Sequence, residues 1–242
     1  MEMLRTRPTY PDGDRAQLNG LNEKITNLVR SRYGVELNAF ARRDEILARL
    51  NSDEIARVQK LLEMAEASVL DMDSDASDLT ASGSAPVWNE KWGVDRVLKV
   101  AGLWYPSDIS DLIQSGDSIE IYDLENFQIY RNLTFMKKSG YSVLDVILGH
   151  WHELWVRPKV IQEKMVAAVM AAFQNPDAIV RSEIEPHFVR ESYDSATARI
   201  LRVDFRFLLP LKNLAGQMGG FLVASRAEVV DRSEAAADFH MI

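Results

Sequence analysis

At 242 residues, 47% of them hydrophobic, the chain is long enough for one compact domain plus a helical extension. A net charge of −8 without any strongly basic segment argues against nucleic acid as a partner, since phosphate neutralisation needs clustered Lys and Arg. The lack of cysteine excludes disulfides, thiolate metal sites and a cysteine nucleophile. It also fits a reducing compartment. With no apolar run long enough to span a bilayer and a polar stretch over residues 1–13, the expected place is the cytoplasm, with no membrane contact.

A helix is predicted over residues 14–32, where Leu18, Leu21, Ile25 and Leu28 recur at spacings of three and four and so share one stripe. Gly34 ends it. Residues 44–50 predict a short helical turn, and the neighbouring Arg42 and Arg43 read as a solvated helix face. Ser52 is suited to cap a longer helix to about Leu70, with a second stripe of Ile55, Val58, Leu62, Ala65 and Val69. Two packings of these stripes are open: against each other as a helical hairpin, or against a second copy of the chain, giving a homodimer.

Lys and Arg are absent between Leu61 and Glu90, where Asp71, Asp73, Asp75 and Asp78 alternate with small polar residues. Such a stretch buries too little apolar surface to order itself, so residues 73–91 are expected to be an acidic flexible linker after an N-terminal helical region, 1–72. The alternating aspartates do not make a calcium loop, because the glycine at its sixth position and the glutamate at its twelfth are missing. Structure returns at Trp88 and Trp92, followed by an amphipathic helix over 94–104 with Val94, Val97, Leu98 and Ala101 on one side. Residues 106–108 then start a turn whose apolar face is Ile109, Leu112 and Ile113.

Two short alternating runs follow, Ile119 and Ile121 with Glu120 and Tyr122, then Phe127 and Ile129 with Gln128 and Tyr130, and they predict a β-hairpin. Asn132 sits where its side chain caps a short helix from Leu133, and Ser139 and Gly140 stop that helix. Ser142 caps another that ends at Gly149. A longer helix is predicted over 159–173, then strands over 178–190, 196–209 and 219–225. In the middle strand Leu201, Val203, Phe205, Phe207 and Leu209 alternate with Arg202, Asp204 and Arg206, one face core and the other charged. In the strand before it, Val180, Ile184 and Phe188 form the apolar face and His187 falls among the polar residues.

This order, together with the Trp151, Leu154 and Pro158 pattern before the long helix, resembles the PAS domain, a small sensory module of signalling proteins. The resemblance covers about residues 93–232. It implies an α+β fold: a PAS-like five-stranded antiparallel sheet with helices on one face, spanning 92–232 and followed by a C-terminal tail over 233–242. In PAS relatives the concave apolar face of the sheet holds ligands, and here Met136, Trp151, Trp155, Met165, Val203 and Phe205 are the candidate lining. Aromatics and methionines at such spacings are more often the makings of ordinary core.

No catalytic motif and no metal-spaced histidine pair is present. Haem is disfavoured, because PAS relatives ligate it from the helix after the proline and no histidine follows Pro158 there. A cysteinyl-flavin adduct is disfavoured for want of a sulfur, and the cofactor, if any, is left unknown. The resulting expectation is a sensory or regulatory module in signal transduction, not an enzyme, working through a protein partner and a homodimer contact, with a small-molecule ligand open. The competing reading is an enzyme or small-molecule carrier on the same fold, which strongly shifted acids or bases inside the pocket would favour.

Overall fold

The computed structural model describes residues 12–38, 42–80, 90–105, 109–181, 183–192 and 198–239. Helix α1 (Asp12–Tyr33) stops where Gly34 turns left-handed at φ +64°. After the short α2 (Arg43–Leu47), α3 (Ser52–Thr80) takes its cap from Asn51 instead of the expected Ser52. Asn51 Oδ1 accepts from the amides of Asp53 and Glu54, both at 3.0 Å, and Glu54 Oε2 accepts from the Asn51 amide at 2.7 Å. Helix α3 continues to Thr80, so the acidic stretch expected as a linker begins as helix. Its remainder over 81–89 lies outside the described residues, as do the lead over 1–11, the turn at 106–108 and the last residues, 240–242.

Both apolar stripes are covered within the chain. Leu18, Ile25 and Val29 of α1 and Ile55, Val58, Leu62 and Val69 of α3 form one buried cluster with Leu133, Val143, Leu144 and Ile147. The hairpin packing is therefore the one built, and those stripes offer no seam to a second copy. Arg43 is not a solvated residue either: its Nε and Nη2 grip Asp145 at 2.7 and 2.6 Å, and Nη2 also reaches Ser142 Oγ at 2.7 Å. This fork clamps α2 onto the cap of a helix about a hundred residues away.

Helix α4 (Glu90–Ala101) is followed by β1 (Leu103–Trp104), a one-turn 3-10 helix (Ile109–Asp111), β2 (Ser118–Asp123) and β3 (Gln128–Arg131). Helices α5 (Leu133–Lys138), α6 (Val143–Leu148) and α7 (Trp151–Leu154), the two-residue β4 (Trp155–Val156) and α8 (Lys159–Gln174) come next. The chain closes with β5 (His187–Glu191), β6 (Ile200–Asn213), β7 (Met218–Val230) and α9 (Arg232–Phe239), the last where an irregular tail was expected. All strands pair antiparallel in the order β3-β2-β7-β6-β5-β4, with β1 beside the end of β6. Residues 193–197, which include the predicted start of β6, lie outside the described residues.

Two departures from the predicted strands decide what faces the interior. The strand predicted over 178–190 is regular only from His187; before it Val180 makes a lone bridge to Leu208. Pro186 offers no amide to a ladder. Beyond it His187 and Val189 are buried while Phe188 is half-buried, the reverse of the expected faces, because a shift of one residue exchanges the two sides of a strand. In β6 a bulge between Phe205 and Phe207 does the same. Phe205 and Leu208 then pack towards α8 with Ile161, whereas Phe207, Leu209 and Leu211 pack with Val94, Val97 and Leu98 of α4 on the opposite face. The sheet is thus covered on both sides, by α4 on one and α5–α8 on the other.

Candidate functional site

Between the sheet and the α7–α8 segment lies a cavity of about 60 Å³. Five of the six predicted lining residues are in its wall: Trp151, Trp155, Met165, Val203 and Phe205. Met136 is not. It lines a second, more apolar cavity of about 40 Å³ between α3 and α5–α6, with Met64, Ser68, Val146 and Ile147. Trp155 is core as well as wall, 5% exposed, with Phe135 stacked at 5.9 Å and Tyr141 edge-on at 5.7 Å. Since a water needs about 10–15 Å³ of such space, the larger of the two holds roughly four to six small atoms.

The polar side of this cavity is made by Glu120, Tyr122, Asn126, Arg157, His187 and Ser225. On β2 Ile119 and Ile121 point to α4, so the alternating polar pair Glu120 and Tyr122 is turned inward and buried. Glu120 Oε1 accepts from Tyr122 Oη at 2.9 Å and from Gln128 Nε2, and lies 3.6 Å from Arg131. Arg131 in turn donates to the Gln128 carbonyl oxygen at 2.9 Å and to Ser139 Oγ at 2.8 Å. The chain of bonds ends at Glu191, which is wholly buried and accepts from the amides of Gly140 and of Arg199, the latter at 2.8 Å. Gln128 and Arg131 also line the second cavity, so one buried network joins the two.

Asn132 holds the top of α5 in place. Its Oδ1 accepts from the amides of Phe135 at 3.0 Å and Ile119 at 3.1 Å, while its Nδ2 donates to the Asp117 carbonyl at 2.8 Å. None of these atoms faces the cavity wall formed by Trp151 and Phe205.

Burial sets the charge states around the cavity. It raises the Tyr122 hydroxyl well above its usual range, with Glu120 adding to the effect, so the phenol stays neutral. It lowers Arg131, against the opposing pull of Glu120, and lowers Arg157 to about 10, which leaves the Arg157 guanidinium charged at neutral pH. It lowers His187 below 6.5, so the imidazole is neutral, its Nδ1 lying 3.0 Å from the Glu185 carbonyl. Three shifted groups, Tyr122, Arg157 and His187, therefore meet in this cavity, which bears on the enzyme reading. Tyr122 and Arg157 are each held in one protonation state at neutral pH, which suits binding better than proton transfer.

The His187 shift has a measurable sign. Below about pH 6.5 the unfolded chain takes up a proton that the folded chain refuses, so stability falls as the pH drops through that value. Denaturant melts at about pH 7.5 and about pH 5.5 should show a smaller loss on acidification for His187→Gln than for the natural chain. An equal loss in both would mean that the imidazole takes up its proton as readily folded as unfolded.

Among the described residues no group of three or more His, Asp or Glu is placed to hold a metal, and no helix is long and apolar enough to cross a membrane. No family model and no curated protein matches the chain. Among solved structures the chain matches the PAS domain of a protein from Colwellia psychrerythraea, 20% identical over 50% of this chain and 91% of that one, with a TM-score of 0.34. The light state of the blue-light photoreceptor Aureochrome1 LOV is 16% identical over 56% of this chain and 98% of its own, with a TM-score of 0.33. An RNA-binding light-oxygen-voltage receptor is 15% identical and spans 97% of this chain and 67% of its own, again at 0.33. Two antiparallel strands, a run of short helices, a long helix and three further strands, with those helices on one face of the sheet, give the region from about residue 93 to residue 232 a PAS-like arrangement of sheet and helices.

Proposed function

We propose that this chain is a cytoplasmic sensory or regulatory module of signal transduction that takes a small ligand in the cavity behind the sheet and reports it by contact with other proteins, a second copy of itself among them. The observation that carries this reading is the buried network from Glu120 and Tyr122 through Gln128 and Arg131 to Glu191. Its middle members Gln128 and Arg131 line the second cavity beside residues of α3 and α6, and its far end, Glu191, lies on β5. A change at Glu120 is felt at Arg131 because buried charges in such a chain cannot be rearranged singly. The surface offered to a partner is the outer side of α8, where Val166, Met170 and Phe173 are exposed at helical spacing.

Native mass spectrometry of the protein from its own source tests this, because it reports bound small molecules and subunit number together. The expected result is a species of two chains of 27.4 kDa each, carrying a small companion that denaturation releases. Single chains without a companion, at concentrations of tens of micromolar where weak interfaces populate, would overturn it.

A further inference from the structure

We propose that the cavity receives a small organic monocarboxylate, its carboxylate held by the Arg157 guanidinium and its short aliphatic part lying against Trp155, Phe205, Phe221 and Val223. This rests on the ligand-sensing reading above and names the class of ligand. Arg157 and Glu120 are the charged residues in the wall. Glu120 is already matched by Tyr122, Gln128 and Arg131. Arg157 is not: its Nη1 meets the Met165 thioether at 2.6 Å, a weak acceptor, and its guanidinium lies 4.8 Å from the centre of the Trp151 ring. Its Nε is enclosed by protein with no acceptor at all. A buried donor on a cation is costly to leave unmatched, and a planar guanidinium is matched best by the two oxygens of a carboxylate.

Size and charge narrow the ligand further. Space for roughly four to six small atoms admits a chain of two to four carbons with its carboxylate and little more. Apart from the polar groups already named and Asn126, whose buried Oδ1 has no donor, the wall is aromatic, aliphatic or thioether, so most of the remainder of the ligand is hydrocarbon. A second negative charge on the ligand would lie close to Glu120, which disfavours dicarboxylates and phosphate.

Titration of the full-length chain with acetate, propionate and butyrate, followed by calorimetry and tryptophan fluorescence, tests the proposal, with butyramide as the neutral isostere and inorganic phosphate as the competing anion. Butyrate should bind saturably and at least about tenfold tighter than butyramide, as expected for a charge-assisted contact. Phosphate should not bind. Arg157→Met should remove the preference for butyrate over butyramide, and Arg157→Lys, which keeps the charge but not the fork, should retain part of it. Equal binding of butyrate and butyramide, binding of phosphate instead, a preference that survives in Arg157→Met, or no saturation anywhere in the series would each overturn the assignment. If Arg157→Met fails to fold, the butyrate-to-butyramide ratio on the natural chain decides alone. A companion molecule of another class in native mass spectrometry, with no carboxylate binding, would leave the sensory reading standing and remove only this inference.

Discussion

Replacing Arg131 with methionine is expected to destabilise the protein by about 3–5 kcal/mol, the usual consequence of stripping one member from a buried ion pair. Arg131 is 5% exposed and sits over the Phe135 ring at 4.2 Å, so methionine keeps much of the packing while the charge is lost. Glu120 then stays buried with only the Tyr122 hydroxyl and the Gln128 amide, and Ser139 and the Gln128 carbonyl lose their donor. The double change Arg131→Met with Glu120→Gln should recover part of the loss, because it no longer leaves an unpaired buried charge. Urea denaturation of the single and double variants measures both. A loss below about 1 kcal/mol in the single variant would show that water reaches Glu120 and that the network is not buried in solution.

Asn132→Ala carries the second large effect. An ordinary helix cap is worth about 1 kcal/mol, but Asn132 is fully buried and its side chain also ties β2 through the Ile119 amide and the Asp117 carbonyl. Alanine leaves those two buried groups unmatched, so the expected loss is about 2–4 kcal/mol. Asn132→Asp restores the acceptor but not the donor and should fall between. Chemical denaturation of the two variants checks the order; equal stabilities would show that the Asp117 carbonyl finds another donor.

The devices legible in the sequence are the local ones. Asn132 and Ser142 cap helices whose amides lie three residues on, and the Ser142 cap is completed by Asp145, which accepts from the Ser142 amide at 3.2 Å. The order of strands and helices was legible for the same reason, since each boundary is marked by its own cap, glycine or proline. What was not legible depends on partners far along the chain. Arg43 looks solvated until Asp145 is brought to it, and Glu120 and Tyr122 look like the outward side of a hairpin until α4 covers Ile119 and Ile121. The faces of β5 and β6 were misread at single points, Pro186 and the bulge at Arg206, where a period of two changes phase. A sequence signal for the second point does exist: Leu208 and Leu209 are adjacent and apolar, which is the mark of a strand buried on both sides. His187 and Arg157, the residues that give the cavity its polar character, carry no such signal.

Hydrogen–deuterium exchange on Tyr122→Phe tests most directly whether the buried network couples the first cavity to the second one, which α3 and α6 line. This change removes only the hydroxyl that donates to Glu120 at the cavity end. If the network transmits, amides of α3 and α6 should exchange faster than in the natural chain while those of the β6–β7 pair stay protected. A change confined to β2 and β3 would contradict the account.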